Sequence, residues 1–168
     1  MTRDEALELL RYDDWATARL LAVAARLTPA RYGEAFGGVG SLREALVRLV
    51  SARVTWLARW TGRPAGVGLF AAAYPDVPRL RERWAAVSAG IGAHFAAVDD
   101  AALAAPLAYR TRSGREVTLP LGRTVQHVVN QGTAWRGQAA LLLRQLGERG
   151  VHLDLATFLR ERARAAGR

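Results

Sequence analysis

Apolar residues recur at helical spacing in four long stretches of the chain, separated by polar or glycine-rich breaks. In the first, about Arg3 to Leu27, leucines at 7, 10, 20, 21 and 27 interleave with Ala16, Ala18 and Val23, a wide stripe on one helical face that Thr28-Pro29 ends. The second opens at Ser41-Leu42-Arg43-Glu44, where a serine followed three residues later by glutamate satisfies two backbone donors as a capping box, and runs to about Trp60. In the third, Asp76 supplies an N-cap and Pro78 an early-turn proline, and Leu80, Trp84, Val87, Ile91, Phe95 and Val98 follow at spacings of four or three. The fourth runs from Arg123 to Leu146 through Val125, Val128, Val129, Gly132, Trp135, Ala139, Leu142 and Leu143, with Gly147 at its C-cap.

The breaks are informative too. Gly37-Gly38-Val39-Gly40 enters a helix, but no strand precedes it and no Gly-Lys-Ser/Thr follows, so it reads as a turn and not a phosphate loop. Thr61 to Pro75 reads as a loop crossing the bundle end, and Asp99-Asp100 as a turn with solvated carboxylates. Around Ser113-Gly114 the period changes, and Tyr109, Thr111, Val117 and Leu119 predict a small two-stranded hairpin that must lean on the helices. A last short helix, about Asp154 to Ala165, is expected to bury Leu155, Phe158 and Leu159. Four apolar stripes are most simply buried in one helical bundle, with the topology left open by periodicity alone.

With 168 residues, 51% of them hydrophobic, the chain reads as one domain (1–168) able to bury its own core. The absence of cysteine excludes disulfides, thiolate metal sites and a cysteine nucleophile. Charged residues within Met1 to Leu10 leave no secretory apolar region, and no segment is long and apolar enough to span a membrane, so a cytoplasmic protein is expected. A net charge of +9 admits nucleic acid as a partner, but all 24 basic residues are arginines scattered along the chain, which reads first as base composition of the genome and a solvated surface. The densest run is Arg160, Arg162, Arg164 and Arg168.

Several segments carry a family resemblance. Tyr12-Asp13-Asp14-Trp15-Ala16, Ser41-Leu42-Arg43-Glu44, Trp56-Leu57-Ala58-Arg59-Trp60, the hairpin before Leu121, and then Asn130, Gly132-Thr133 and Arg136-Gly137-Gln138 follow in order across nearly the whole chain. Together they resemble the DinB/YfiT-like metalloprotein family, which is unrelated to the DNA polymerase sharing the DinB name. The resemblance implies an all-α fold, a four-helix bundle with crossover connections and a small β-hairpin before the fourth long helix. It also implies a homodimer and a divalent metal held by three histidines. Those histidines fall here at Arg48, Gln131 and Trp135.

The substitutions change the chemistry. Residues four apart share a helical face, so histidines at 131 and 135 would chelate one ion with a third imidazole from 48, leaving a position open as in catalytic zinc or nickel sites. A guanidinium, an amide and an indole cannot do this: the indole only donates, and arginine is permanently cationic. No metal or other cofactor is therefore expected, except nickel or zinc at a site rebuilt around His127 with Asp13 or Asp14. Arg48 either pairs with Glu44 while Trp135 fills core volume, or stacks on Trp135 and offers a small anion a fixed charge beside Gln131. In the second case an inward Asp13 or Asp14 would neutralise Arg48. His94 reads as structural, His127 as a packed pocket residue or a proton-transfer group, and His152 as exposed.

The reading from sequence is thus a non-enzymatic or diverged, stress-associated DinB-like dimer that binds a small anionic ligand. Its candidate pocket comprises Arg48, His127, Gln131, Trp135, Asp13 and Asp14. The alternatives are a metal-dependent thiol S-transferase-like enzyme, which needs an ion to stabilise the thiolate, and a weak nonspecific nucleic-acid binder.

Overall fold

The computed structural model describes residues 1–167, so the Arg168 of the basic tail lies outside the described residues. Its helices are α1 (Arg3–Ala24), α2 (Pro29–Tyr32), α3 (Leu42–Trp60), α4 (Val77–Ala96), α5 (Asp100–Ala104), α6 (Leu121–Gln145) and α7 (Leu155–Ala166), with strands β1 (Pro106–Arg110) and β2 (Glu116–Pro120) between α5 and α6. The four long ones form the bundle. Helix α6 packs on α1 and α3, and α4 covers the other side of both.

Residue pairs fix the directions. Trp60 meets Thr124, Trp56 meets His127 and Arg48 meets Trp135, so α3 and α6 are antiparallel. Arg53 meets Trp84 and Trp60 meets Phe95, so α3 and α4 are parallel. Arg3 reaches Ala96 and Asp14 reaches Ser88, so α1 opposes α4. Parallel α3 and α4 require a crossover, and the 61–76 link supplies it. The Leu69 amide donates to Ser51 Oγ at 2.8 Å, showing that the link runs back along α3 before a short 3-10 turn at Ala71–Ala73.

The ends of the helices follow local chemistry. Both halves of the Ser41–Glu44 capping box form, Asp76 accepts from the Arg79 amide, and Gly147 takes a φ of 78° just past the C-cap of α6. Four details depart from expectation. Helix α1 stops at Ala24, because Thr28 caps the separate turn Pro29–Tyr32. Asp99 caps α5 and Asp100 accepts from the Arg3 amide at 2.6 Å, so that pair joins two elements. Helix α6 begins two residues early, straight from β2 through Pro120. In α7 only Phe158 is buried, against Tyr12 and Trp15, while Leu155 and Leu159 remain 37% and 39% exposed, because a short outer helix packs along one narrow line. The hairpin leans on the bundle through Tyr109, whose ring meets Trp56 edge-on at 5.0 Å. Thr111 lies beyond β1, in the turn.

Candidate functional site

The middle of the bundle holds a buried ionic network. Asp13, Arg53 and Arg136 are each about 1% exposed or less, from α1, α3 and α6. Arg53 donates to Asp13 Oδ2 at 2.7 Å through one terminal nitrogen and to Asp14 Oδ1 at 2.7 Å through the other. Arg136 donates to Asp13 Oδ1 and, at 3.0 Å, to Thr133. Ser88 of α4 donates to Asp14 at 2.7 Å, so all four long helices contribute. Two guanidiniums face two carboxylates, and the set is neutral. Aromatic faces complete the packing, with Trp84 against Arg53 and Tyr12 against Arg136. Burial pushes the Asp14 carboxyl above its ordinary range, and Arg53 and the Ser88 hydroxyl partly oppose this.

Gly132 makes the network possible. A methyl group there would stand 2.6 Å from Asp13 Oδ1 and 2.9 Å from an Arg136 nitrogen. The glycine lets the carboxylate approach the α6 backbone.

The positions where the resemblance places the histidines lie on α3 and α6, and none of the three side chains hydrogen-bonds into this network. The Arg48 guanidinium lies 4.7 Å over the Trp135 ring. Glu44 is turned back onto Ser41, accepting at 2.8 Å from its amide, and Arg48 makes no ion pair among the described residues. Asp13 and Asp14 do face inward, but toward Arg53 and Arg136, so neither neutralises Arg48. Trp135 Nε1 and Gln131 Oε1 are both buried without a hydrogen-bond partner among the described residues. The two residues are four apart on α6 and share one helical face.

His127 is exposed and packs against Trp56, with ring centroids 5.2 Å apart. It does not share the interior with Asp13. His94 packs edge-on against Phe95 at 5.1 Å, and burial lowers its pKa. His152 is exposed. A divalent ion does not fit the donor set at 48, 131 and 135, where a free cation is already fixed over the indole, and the two nearby carboxylates are committed to arginines. An open cleft of about 960 Å³ lies elsewhere, between the crossover link and the hairpin, over Thr55 and Arg59.

Sequence reasoning missed Arg53 and Arg136 as the partners of Asp13. A signal existed: Leu42, Leu46, Leu49, Arg53, Trp56 and Trp60 form one buried row at spacings of four and three, and Arg53 is its one charged member.

The bundle of parallel and antiparallel pairs with a crossover link and a hairpin before its last long helix defines the class, an all-α four-helix bundle of the DinB-like kind. The DinB family model matches residues 1–165, and the chain belongs to the DinB family. A solved structure, a DinB-like protein from Bacillus cereus, is 18% identical over 90% of this chain and 98% of its own, with a TM-score of 0.70, a likeness in fold. No curated protein matches the sequence.

Proposed function

We propose that this DinB-family chain has diverged from metal chemistry and binds a small anion at the positions that resemblance assigns to the metal. The observation that carries this reading is the stacked, unpaired Arg48 on Trp135, whose indole Nε1 is buried without an acceptor among the described residues. Arg48 offers a planar fork suited to a carboxylate or phosphate, and Trp135 Nε1 offers a further donor on the ring beneath it. Stacking restrains the guanidinium, so less side-chain freedom is lost when an anion docks. A metal-activated thiol transfer finds no support in the donor chemistry of this site. Stress association and a homodimer belong to the same reading through the family resemblance.

Two measurements test it. Tag-free protein incubated with nickel, zinc and manganese and then desalted should carry well below one ion per chain by mass spectrometry. An ion content near one would refute the reading and point to a site rebuilt around His127. Titration with phosphate and acetate should show saturable binding that Arg48→Ala abolishes. Undiminished binding by that variant would place the anion elsewhere.

A further inference from the structure

We propose that the 960 Å³ cleft between the crossover link and the hairpin is a second binding site, which takes a small organic anion with a phosphate or carboxylate end and an apolar body. The volume falls within the roughly 300–1,000 Å³ of small-molecule sites. The cleft is built from the last turns of α3 outward. Arg59 forms its base, with its guanidinium 4.5 Å from the Trp56 ring and 4.6 Å from the Tyr109 ring, and one terminal nitrogen donates to the Arg110 carbonyl at 3.0 Å. Its Nε is buried without an acceptor among the described residues.

Charge in the cleft is one-sided. Arg110 pairs with Glu116 at 2.5 Å, but Arg59, Arg63 and Arg112 make no ion pair among the described residues. Three uncompensated guanidiniums around one concavity favour a dianion or a compact carboxylate. Beyond Arg63 the link wall of the cleft is apolar, formed by the Pro64-Ala65 segment and Val67, which is 75% exposed. An anion that also carries an apolar body would cover it. The link is anchored to α3 at its two ends, by the Arg63 amide on the Ala58 carbonyl at 2.8 Å and by the Leu69 amide on Ser51 Oγ, so the wall is held before a ligand arrives. A cleft walled on both sides suits a small molecule better than a nucleic-acid backbone, which is tracked by an open basic stripe.

This site does not depend on the Arg48 site. Arg48 and Arg59 are eleven residues apart on α3, about 16 Å at the helical rise of ~1.5 Å per residue.

Calorimetric titration with phenyl phosphate, benzoate and inorganic phosphate tests the proposal on the intact chain. Phenyl phosphate or benzoate should bind saturably at one per chain, the stronger of the two showing which acidic group the cleft prefers, and inorganic phosphate should bind it at least about tenfold more weakly because it lacks the apolar body. Arg63→Ala with Arg112→Ala changes two exposed residues, so the fold should survive, as thermal unfolding would show, while affinity should fall at least about tenfold. Arg48→Ala should leave the phenyl phosphate affinity unchanged. No saturable binding of either organic anion at millimolar concentration would overturn the proposal, as would full retention by the double variant. Loss in Arg48→Ala alone would also overturn it while leaving the first site intact. Displacement of phenyl phosphate by a tighter-binding single-stranded oligonucleotide would replace it with nucleic-acid binding.

Discussion

Asp13→Asn isolates the worth of the central network with almost no change in shape. In the native protein Asp13 is fully buried and accepts from both Arg53 and Arg136. The amide removes the negative charge. Arg53 keeps Asp14, but Arg136 keeps only the neutral Thr133 hydroxyl, so one cation is left buried beside neutral groups. Removing one partner of a buried pair costs about 3–5 kcal/mol, because the other charge stays desolvated. That is a large share of the roughly 5–15 kcal/mol that holds a domain folded. Urea unfolding with a constant slope is the assay. Arg136→Met should cost less than Asp13→Asn, since Asp13 retains Arg53. In the double variant the orphaned cation is gone, and the loss should be smaller than the sum of the two by about 0.5–3 kcal/mol. A loss under about 1 kcal/mol for Asp13→Asn, or strict additivity in the cycle, would refute the picture of a tightly coupled buried network. If Asp13→Asn does not fold, Arg136→Met alone still tests the ranking.

Gly132→Ala sets two effects against each other. Helix propensity favours alanine by about 1 kcal/mol, whereas a methyl group 2.6 Å from Asp13 Oδ1 costs about 1–3 kcal/mol and also displaces the network, so thermal unfolding should show net destabilisation. His94 gives a pH signature. Burial lowers its folded-state pKa below 6.5, so the folded state binds fewer protons than the unfolded one. Its contribution is therefore complete above that value and is lost as pH falls below it toward the folded-state pKa. The stability difference between native protein and His94→Gln should change across that acidic window and stay flat above it; a flat difference throughout would refute the assignment. Finally, replacing Arg48, Gln131 and Trp135 together by histidine should create nickel or zinc binding, read as metal content after desalting. A well-folded triple variant that binds neither would mean that the three backbone positions do not converge.

The four long helices were legible because their stripes are long and regular and because Ser41, Asp76 and Gly147 punctuate them with known capping chemistry. Whether Asp13 or Asp14 turns inward is left open by the sequence, and the partner of Asp13 was not legible at all. Spacing assigns a residue to a face of its own helix, but not the neighbour that face meets. Arg48 and Arg53 are five residues apart, about 140° around the helix at 3.6 residues per turn, so one reaches the interior and the other stays at the exposed seam over Trp135. The row from Leu42 to Trp60 carries the clue, since a single arginine in an otherwise apolar buried row demands a carboxylate from another helix. The exposure of Leu155 and Leu159 has a related cause. Their apolar spacing is real, but α7 lies outside the bundle, and only the line through Phe158 finds a surface to pack on.

The absence of lysine, whatever its origin in the genome, is not neutral for this structure. Arg53 reaches Asp13 with one nitrogen and Asp14 with the other while its flat face rests 4.9 Å from the Trp84 ring. A lysine has a single ammonium on a flexible stem and cannot span two carboxylates in that fixed geometry. Arg53→Lys should therefore lose one charge-assisted bond, worth about 1.5–3 kcal/mol, although net charge is unchanged. Arg19 also meets a carboxylate, Glu161 at 2.9 Å, but both side chains are well exposed. There Arg19→Lys should cost less than about 0.5 kcal/mol, because solvent screens the pair and water replaces what is lost. Equal losses at the two positions would mean that charge alone holds the network. A large loss only at 53 would mean that the forked, planar shape of arginine, and not its charge alone, is what joins α1 to α3.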